Sequence, residues 1–190
     1  MSLLLSGQGL SKAFGIQTLF AGIDIILHKG DRVGLIGPNG SGKSTLLRIL
    51  AGLSEADSGR VFLPKKTKVS FLAQEDTFNE DDSIIDNLLT GLARIPHTEV
   101  EALSRAQTLM SRAEFPDPDC PVHQLSGGWR KRLAICRALI GRPDILLMDE
   151  PTNHLDIEGI LWLEKLLTSR LPESPSAFLM VSHDRRFLEN

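Results

Sequence analysis

The residues best suited to chemistry in this 190-residue chain begin with Gly37-Pro38-Asn39-Gly40-Ser41-Gly42-Lys43-Ser44-Thr45. They satisfy the phosphate-binding pattern G-x-x-x-x-G-K-[ST], with Gly37, Gly42, Lys43 and Ser44 at its fixed positions. A nucleoside triphosphate carries clustered negative charge, and glycines let a loop wrap so that backbone N–H groups converge on it. A following helix adds its positive N-terminal end. Lys43 then supplies a mobile cation for the β and γ phosphates, and Ser44 a hydroxyl ligand for Mg²⁺. The competing reading is a Gly-rich turn that happens to precede a lysine. A strand-like run before the loop (residues 32–36) and a helix-like run after it (46–51) decide for nucleotide binding, because strand, glycine loop and helix is the context the motif requires.

Three further groups suit the same chemistry. Asp149-Glu150 closes the apolar run Ile145-Leu146-Leu147-Met148. Asp149 suits Mg²⁺, directly or through water, and Glu150 can take a proton from an attacking water. Either acid alone could simply cap the turn before Pro151; the strand before them and the phosphate loop upstream favour the catalytic roles. Ser126-Gly127-Gly128 opens a helix running to about Leu139. Small residues, exposed N–H groups and the helix dipole make that start an anion site, with a plain Ser126 N-cap as the alternative. Two phosphate cradles in one domain point to a nucleotide held by another copy. His183 follows a third apolar run, 178–181. Ligands of open α/β sheets bind at the carboxyl ends of the strands. If these three strands are parallel neighbours, the loop, Asp149-Glu150 and His183 meet at the phosphates.

The elements that must position these groups can be read along the chain. Residues 3–5, 23–28 and 32–36 are short β-prone runs, broken by Gly7, Gly9, Gly15, Gly22 and Gly30, with a tight turn at Lys29-Gly30-Asp31. Phe14 is either a core residue or a ring that stacks on a base. Runs 60–63 and 68–73 read as strands, and Lys65, Lys66 and Lys68 as a solvated edge. Gln74 follows the second run, and Glu75, Asp76, Glu80, Asp81 and Asp82 then form an acidic loop, read as solvated rather than metal-binding. Ser83-x-x-Asp86 and Thr98-x-x-Glu101 start two helices. The first shows Ile84, Ile85, Leu88, Leu89 and Leu92 on one face, and the second has Val100, Leu103 and Met110 apolar. Residues 115–121 read as a stiff, extended Pro-rich linker. Asp156 caps a last helix containing Ile160, Leu163 and Leu167.

Composition sets bounds on this picture. Apolar residues at 42% and charged residues at 24% suit one soluble α/β domain. A net charge of −3 gives no global attraction to nucleic acid or an anionic membrane. Cys120 and Cys136 form no C-x-x-C pair, which suits a reduced, cytoplasmic protein. No apolar run approaches the roughly 20 residues needed to span a bilayer.

In combination these motifs resemble an ATP-binding-cassette (ABC) ATPase domain. The phosphate loop, Gln74 after a strand, Leu125-Ser126-Gly127-Gly128, residues 145–150 and His183 stand in that family's order, and Pro151 to Asp156 follow the acidic pair as its D-loop does. The resemblance covers nearly the whole chain. It implies an α/β fold: a P-loop NTPase core, mainly parallel sheet with flanking helices, plus an N-terminal antiparallel β subdomain and a small helical subdomain. The implied division is 1–74 (β subdomain and P-loop core), 75–124 (helical subdomain) and 125–190 (signature helix and rest of the core). Phe14 would stack on adenine, and the loop Gly37, Pro38, Asn39, Gly40, Ser41, Gly42, Lys43, Ser44 and Thr45 would hold the phosphates of ATP. Ser44, Gln74 and Asp149 would hold Mg²⁺. Glu150 would be the general base, Gln74 would touch the attacking water, and His183 would contact the γ-phosphate. Ser126, Gly127 and Gly128 would close over ATP bound by a second cassette in a head-to-tail pair, with Asp156 at that interface.

Two stretches, 153–156 and 181–188, resemble the F subfamily, whose members carry two ATPase domains on one chain without a membrane domain, many acting on the ribosome. Trp129 in place of the usual glutamine, with Trp162-Leu163-Glu164, is similar to the N-terminal cassette of its Uup-like members. That implies an ATPase, turning ATP and water into ADP and phosphate, with a second cassette needed for full activity and a ribosome- or RNA-related partner. The alternative is the ATPase subunit of a membrane transporter, with a membrane-domain partner. The chain stops soon after His183, which implies a C-terminally truncated domain, and 74–125 is too short for a long helical arm.

Overall fold

The computed structural model describes residues 2–93, 95–115, 117–169 and 174–182. They group into two compact units, one of 2–71, 144–150 and 175–182, the other of the described residues within 72–143 and 151–174. These units are cut differently from the sequence segments: the helix that follows Ser126 groups with residues 75–124, because it packs on the helices of that stretch.

In the first unit, β1 (Leu3–Phe14) and β2 (Gln17–His28) form a long antiparallel hairpin, and β4 (Ser58–Phe62) pairs with the other edge of β1. Of the glycines expected to break this region, Gly15 and Gly30 lie in the turns after β1 and β2, while Gly7, Gly9 and Gly22 do not break their strands. Gly7 lies inside β1, and Gly9 and Gly22 take left-handed φ values of 59° and 67° beside register shifts in the ladder. They act as bulges, which twist an antiparallel pair without ending it. The turn at 29–31 is as expected: Asp31 N–H donates to His28 O at 3.1 Å, and Asp31 Oδ2 accepts from His28 N–H at 2.7 Å.

The second sheet runs in the order β3 (Arg32–Leu35), β7 (Ala177–Val181), β6 (Ile145–Asp149), β5 (Val69–Leu72). β7 is parallel to both β3 and β6. The three strands that lead to the phosphate loop, His183 and Asp149-Glu150 are therefore parallel and side by side, the arrangement the sequence reading asked for, with β7 in the middle. β3 and β6 end level, since Leu35 and Asp149 are both register partners of Val181. The core places Leu147 and Ile145 of β6 and Leu179 and Val181 of β7 against Leu46, Leu47, Ile49 and Leu50 of helix α1 (Lys43–Leu50).

The second unit holds α2 (Ile84–Leu89), α3 (Glu99–Ala113), α4 (Gly127–Leu139) and α5 (Ile157–Thr168). The expected caps are present. Asp86 N–H donates to Ser83 Oγ at 3.1 Å, and Thr98 and Glu101 form a capping box. Of the apolar residues read in α3, Met110 is buried but Val100 and Leu103 are exposed, and the buried face is completed by Ala102, Ala106, Leu109 and Ala113. Small side chains let α3 approach its neighbours closely, and a reading that favours large apolar residues overlooks them. Part of the Pro-rich stretch is no free linker either. Ile85 and Ile84 donate their N–H groups to Pro118 O and Cys120 O at 3.1 and 3.0 Å, tying it to the start of α2.

Leu147 is fully buried in the shared core of β6 and α1. Leu147→Ala should cost about 2–5 kcal/mol by leaving a cavity under the helix that carries Ser44. Urea unfolding that places this variant within about 1 kcal/mol of the wild type would contradict that packing.

Candidate functional site

The phosphate loop is built by two demands that only glycine meets together. Gly42, the N-cap of α1, has φ 86°. A Cβ there would lie 2.8 Å from Phe20 Cδ1 and 2.9 Å from Leu19 Cβ. The loop is thus a left-handed entry into a helix, pressed against β2. Lys43 Nζ donates to Gly37 O at 2.8 Å and Pro38 O at 2.9 Å, so the cation spans the loop's own carbonyls. Ser44, the next residue, donates from Oγ to Asp149 Oδ1 at 3.1 Å. The structure thereby joins two residues 105 apart in sequence.

Asp149 is 2% exposed and ends a strand buried along its whole length. Glu150 is 6% exposed, and its N–H donates to Val181 O at 2.9 Å. Its φ of 50° is left-handed, an uncommon conformation for a residue other than glycine, asparagine or aspartate. Backbone strain of this kind collects where a side chain must be aimed. Sequence periodicity carries no signal for it.

Among the described residues no three His, Cys, Asp or Glu side chains cluster to hold a metal. The hydroxyl of Ser44 beside the carboxylate of Asp149 is a pair of hard oxygen donors. That fits Mg²⁺, which is commonly bound through one or two protein oxygens with substrate phosphates and water completing its shell.

Phe14 is 62% exposed at the end of β1, next to the fully exposed Ile16. It is not a core residue, and its ring is available for stacking. His183 lies outside the described residues.

The remaining site candidates sit in the second unit. Ser126 is the N-cap of α4, its Oγ accepting from Trp129 N–H at 3.5 Å. Ser126 and Gly127 are exposed, so the helix start faces solvent. A Cβ on Gly128 would meet His154 O at 3.2 Å, so this glycine admits the 152–155 turn. Asp156 accepts from Gly159 N–H at 2.7 Å and caps α5. Gln74 is exposed, while its carbonyl accepts from Lys131 Nζ at 3.2 Å.

The two tryptophans singled out in the sequence share a purpose. The Arg132 guanidinium carbon lies 4.8 Å from the Trp129 ring centroid and 5.3 Å from that of Trp162. A buried cation is stabilised by the electron-rich faces of aromatic rings. Phe115 packs on Trp129 with centroids 5.1 Å apart, and Trp162 Nε1 donates to Arg112 O at 2.8 Å.

Comparison with known proteins agrees with this geometry. The profile of the ABC transporter family matches residues 20–153. The chain belongs to the ABC family of ATPases. It is 36% identical to the energy-dependent translational throttle protein EttA of Mycobacterium tuberculosis, over 94% of this chain and 38% of that protein. It is 36% identical to the ATP-binding protein Uup of Buchnera aphidicola, over 98% of this chain and 31% of that one. The chain thus spans about a third of the length of these two F-type relatives. It is also 38% identical to the aliphatic sulfonates import ATP-binding protein SsuB of Corynebacterium glutamicum, over 93% of this chain and 72% of that protein. A dimeric ATP-binding cassette solved in a post-hydrolysis state with ADP and Pi superposes with a TM-score of 0.82 at 25% identity, covering 97% of this chain and 90% of that one. The fold is that of an ABC cassette. No helix among the described residues is long and apolar enough to cross a membrane.

Gly42→Ala tests the built loop. A left-handed alanine costs roughly 1–2 kcal/mol before the clash with Phe20 is counted. The variant should melt several degrees below the wild type, and an unchanged melting temperature would mean that the loop does not hold this conformation.

Proposed function

We propose that this ABC ATPase chain is one cassette of an F-type protein, binding and hydrolysing ATP in a closed pair with a second cassette and coupling that closure to a ribosome- or translation-related task in the cytoplasm. The observation that carries the nucleotide reading is the Ser44–Asp149 hydrogen bond at 3.1 Å, which sets the phosphate loop beside the buried acid. In this reading the backbone of 37–45 and Lys43 hold the phosphates, and Phe14 stacks on the base. Ser44, Asp149 and Gln74 hold Mg²⁺, which when bound neutralises phosphate charge. Glu150 accepts the proton of the attacking water, and Gln74 and His183 orient the water and the γ-phosphate. Ser126, Gly127 and Gly128 present exposed N–H groups to the nucleotide of the second cassette, near Asp156. The dimeric, ADP- and Pi-bound structural relative supports such a pair.

The translation assignment draws support from the EttA relative, a translational throttle protein, and from the elongation factor 3 of Pneumocystis carinii, which is 37% identical over 95% of this chain. The second reading, an importer's ATPase subunit, is favoured by the SsuB relative, most of whose length this chain covers. Sedimentation separates the two. The full-length protein should pellet with ribosomes in an ATP-dependent manner, while a stable complex with an integral membrane protein and no ribosome association would decide for the importer.

Glu150→Gln should leave ATP affinity unchanged and slow turnover by about 10²–10⁴-fold, the usual worth of a positioned general base. Turnover within twofold of the wild type would remove Glu150 from that role.

A further inference from the structure

Lys131 is one turn into α4, the helix whose first residues are Gly127 and Gly128, and its side chain is only 4% exposed. An ammonium has three N–H donors, and burying it is costly unless each finds an acceptor. Here all three are directed to one short stretch: Ala73 O at 2.9 Å, Gln74 O at 3.2 Å and Asp76 Oδ2 at 3.3 Å. The same helix holds the stretch further along. Arg137 donates to Thr77 O at 2.8 Å and Asp76 Oδ1 at 3.5 Å, and lies 4.5 Å over the Phe78 ring. Arg130 makes a two-pronged pair with Glu80, one arm at 2.7 Å. Residues 73–80 are therefore fastened to α4 by charge-assisted hydrogen bonds, roughly twice as strong as neutral ones. Gln74 itself is exposed. Its carbonyl is gripped while the residue faces solvent.

We propose that Lys131 is a positioning residue for ATP hydrolysis: it fixes the backbone at Gln74 to the helix that begins at Ser126-Gly127-Gly128, so that any movement of that helix is passed to Gln74. This rests on the reading of Gln74 as a ligand of its own nucleotide and of Ser126-Gly127-Gly128 as a ligand of the partner's. Lys131 touches neither nucleotide. It makes the response of one site to the other a rigid-body matter inside one unit.

The test is steady-state hydrolysis by the full-length protein, with ATP as the probe. Lys131→Met should lower kcat about tenfold or more with KM within about twofold, since a buried charged hydrogen-bond cluster is lost while the phosphate loop is untouched. Lys131→Arg should recover most of the rate. In a Gln74→Ala background, Lys131→Met should add less than about a twofold loss, because residues acting through one another are non-additive. If Lys131→Met does not fold, the near-isosteric Asp76→Asn serves in the same cycle, with the same kcat-only loss expected. A full multiplicative loss in the Gln74→Ala background, or unchanged kcat in the single variant while Gln74→Ala is slow, overturns the positioning role and leaves the ATPase reading intact. A Gln74→Ala protein as fast as the wild type overturns the catalytic reading of Gln74, and the positioning role falls with it.

Discussion

A carboxylate at the end of a strand buried on both faces is the constraint around which the first unit is arranged. β6 is buried from Ile145 to Asp149. Four apolar residues hold the strand in the core, and the fifth brings a carboxylate to its rim, 2% exposed. Leaving such a group without a partner would cost several kcal/mol. Ser44 Oγ supplies a donor. Ser44 can do so because α1 is anchored independently: Leu46, Leu47, Ile49 and Leu50 share the cluster of Ile145 and Leu147. The same packing that buries the helix face therefore sets the hydroxyl beside the acid, and a change in the core is felt at the site.

The strand order shows how convergence is achieved: β3, β7 and β6 lie side by side and parallel, and Leu35, Val181 and Asp149 stand at one level. The chain leaves all three strands at a single rim of the sheet, where α/β proteins gather their ligands. Glu150 turns there with a left-handed φ, its N–H still bound to Val181 O. Neighbouring parallel strands with level ends are what bring these groups to one rim.

What was legible in the sequence follows from how each feature is encoded. The phosphate loop, the caps at Ser83, Thr98, Ser126 and Asp156, and the apolar strands are written in local residue types, so they are readable without the fold. The hairpin was not, because glycine signals a bulge and a break alike, and only the cross-strand partner decides between them. The buried face of α3 was legible only at Met110, because closeness of approach selects alanine, whereas hydrophobicity scales select the exposed Val100 and Leu103. Asn87 escaped notice altogether. It is 1% exposed, accepts from Asn79 N–H at 2.9 Å and donates to Asn79 O at 2.9 Å, folding the loop before α2. A lone buried amide carries no periodic signature.

Charge was the least legible property, for a related reason. The acidic stretch from Glu75 to Asp82 reads as solvated, since nothing nearby in sequence opposes it. Glu75, Asp81 and Asp82 are indeed exposed, but Asp76 and Glu80 find partners on α4, 50 to 61 residues away. The paired guanidinium of Arg130 holds the Glu80 carboxyl below the usual range of a glutamate. Net charge could not reveal this, because opposite charges cancel in a sum whether or not they meet. Trp129 makes the same point for a departure from the family pattern. A residue that interrupts the signature looks like a defect until its ring is seen against Arg132 and Phe115. The substitution exchanges a polar side chain for a contact that stabilises a buried cation on the same helix. α4 therefore carries its solvent-facing N-terminus on a body held from two directions, by acids of the 73–80 stretch and by aromatic faces. A helix start that must meet phosphate gains precision from such holding, because its N–H groups then move only when the whole helix moves.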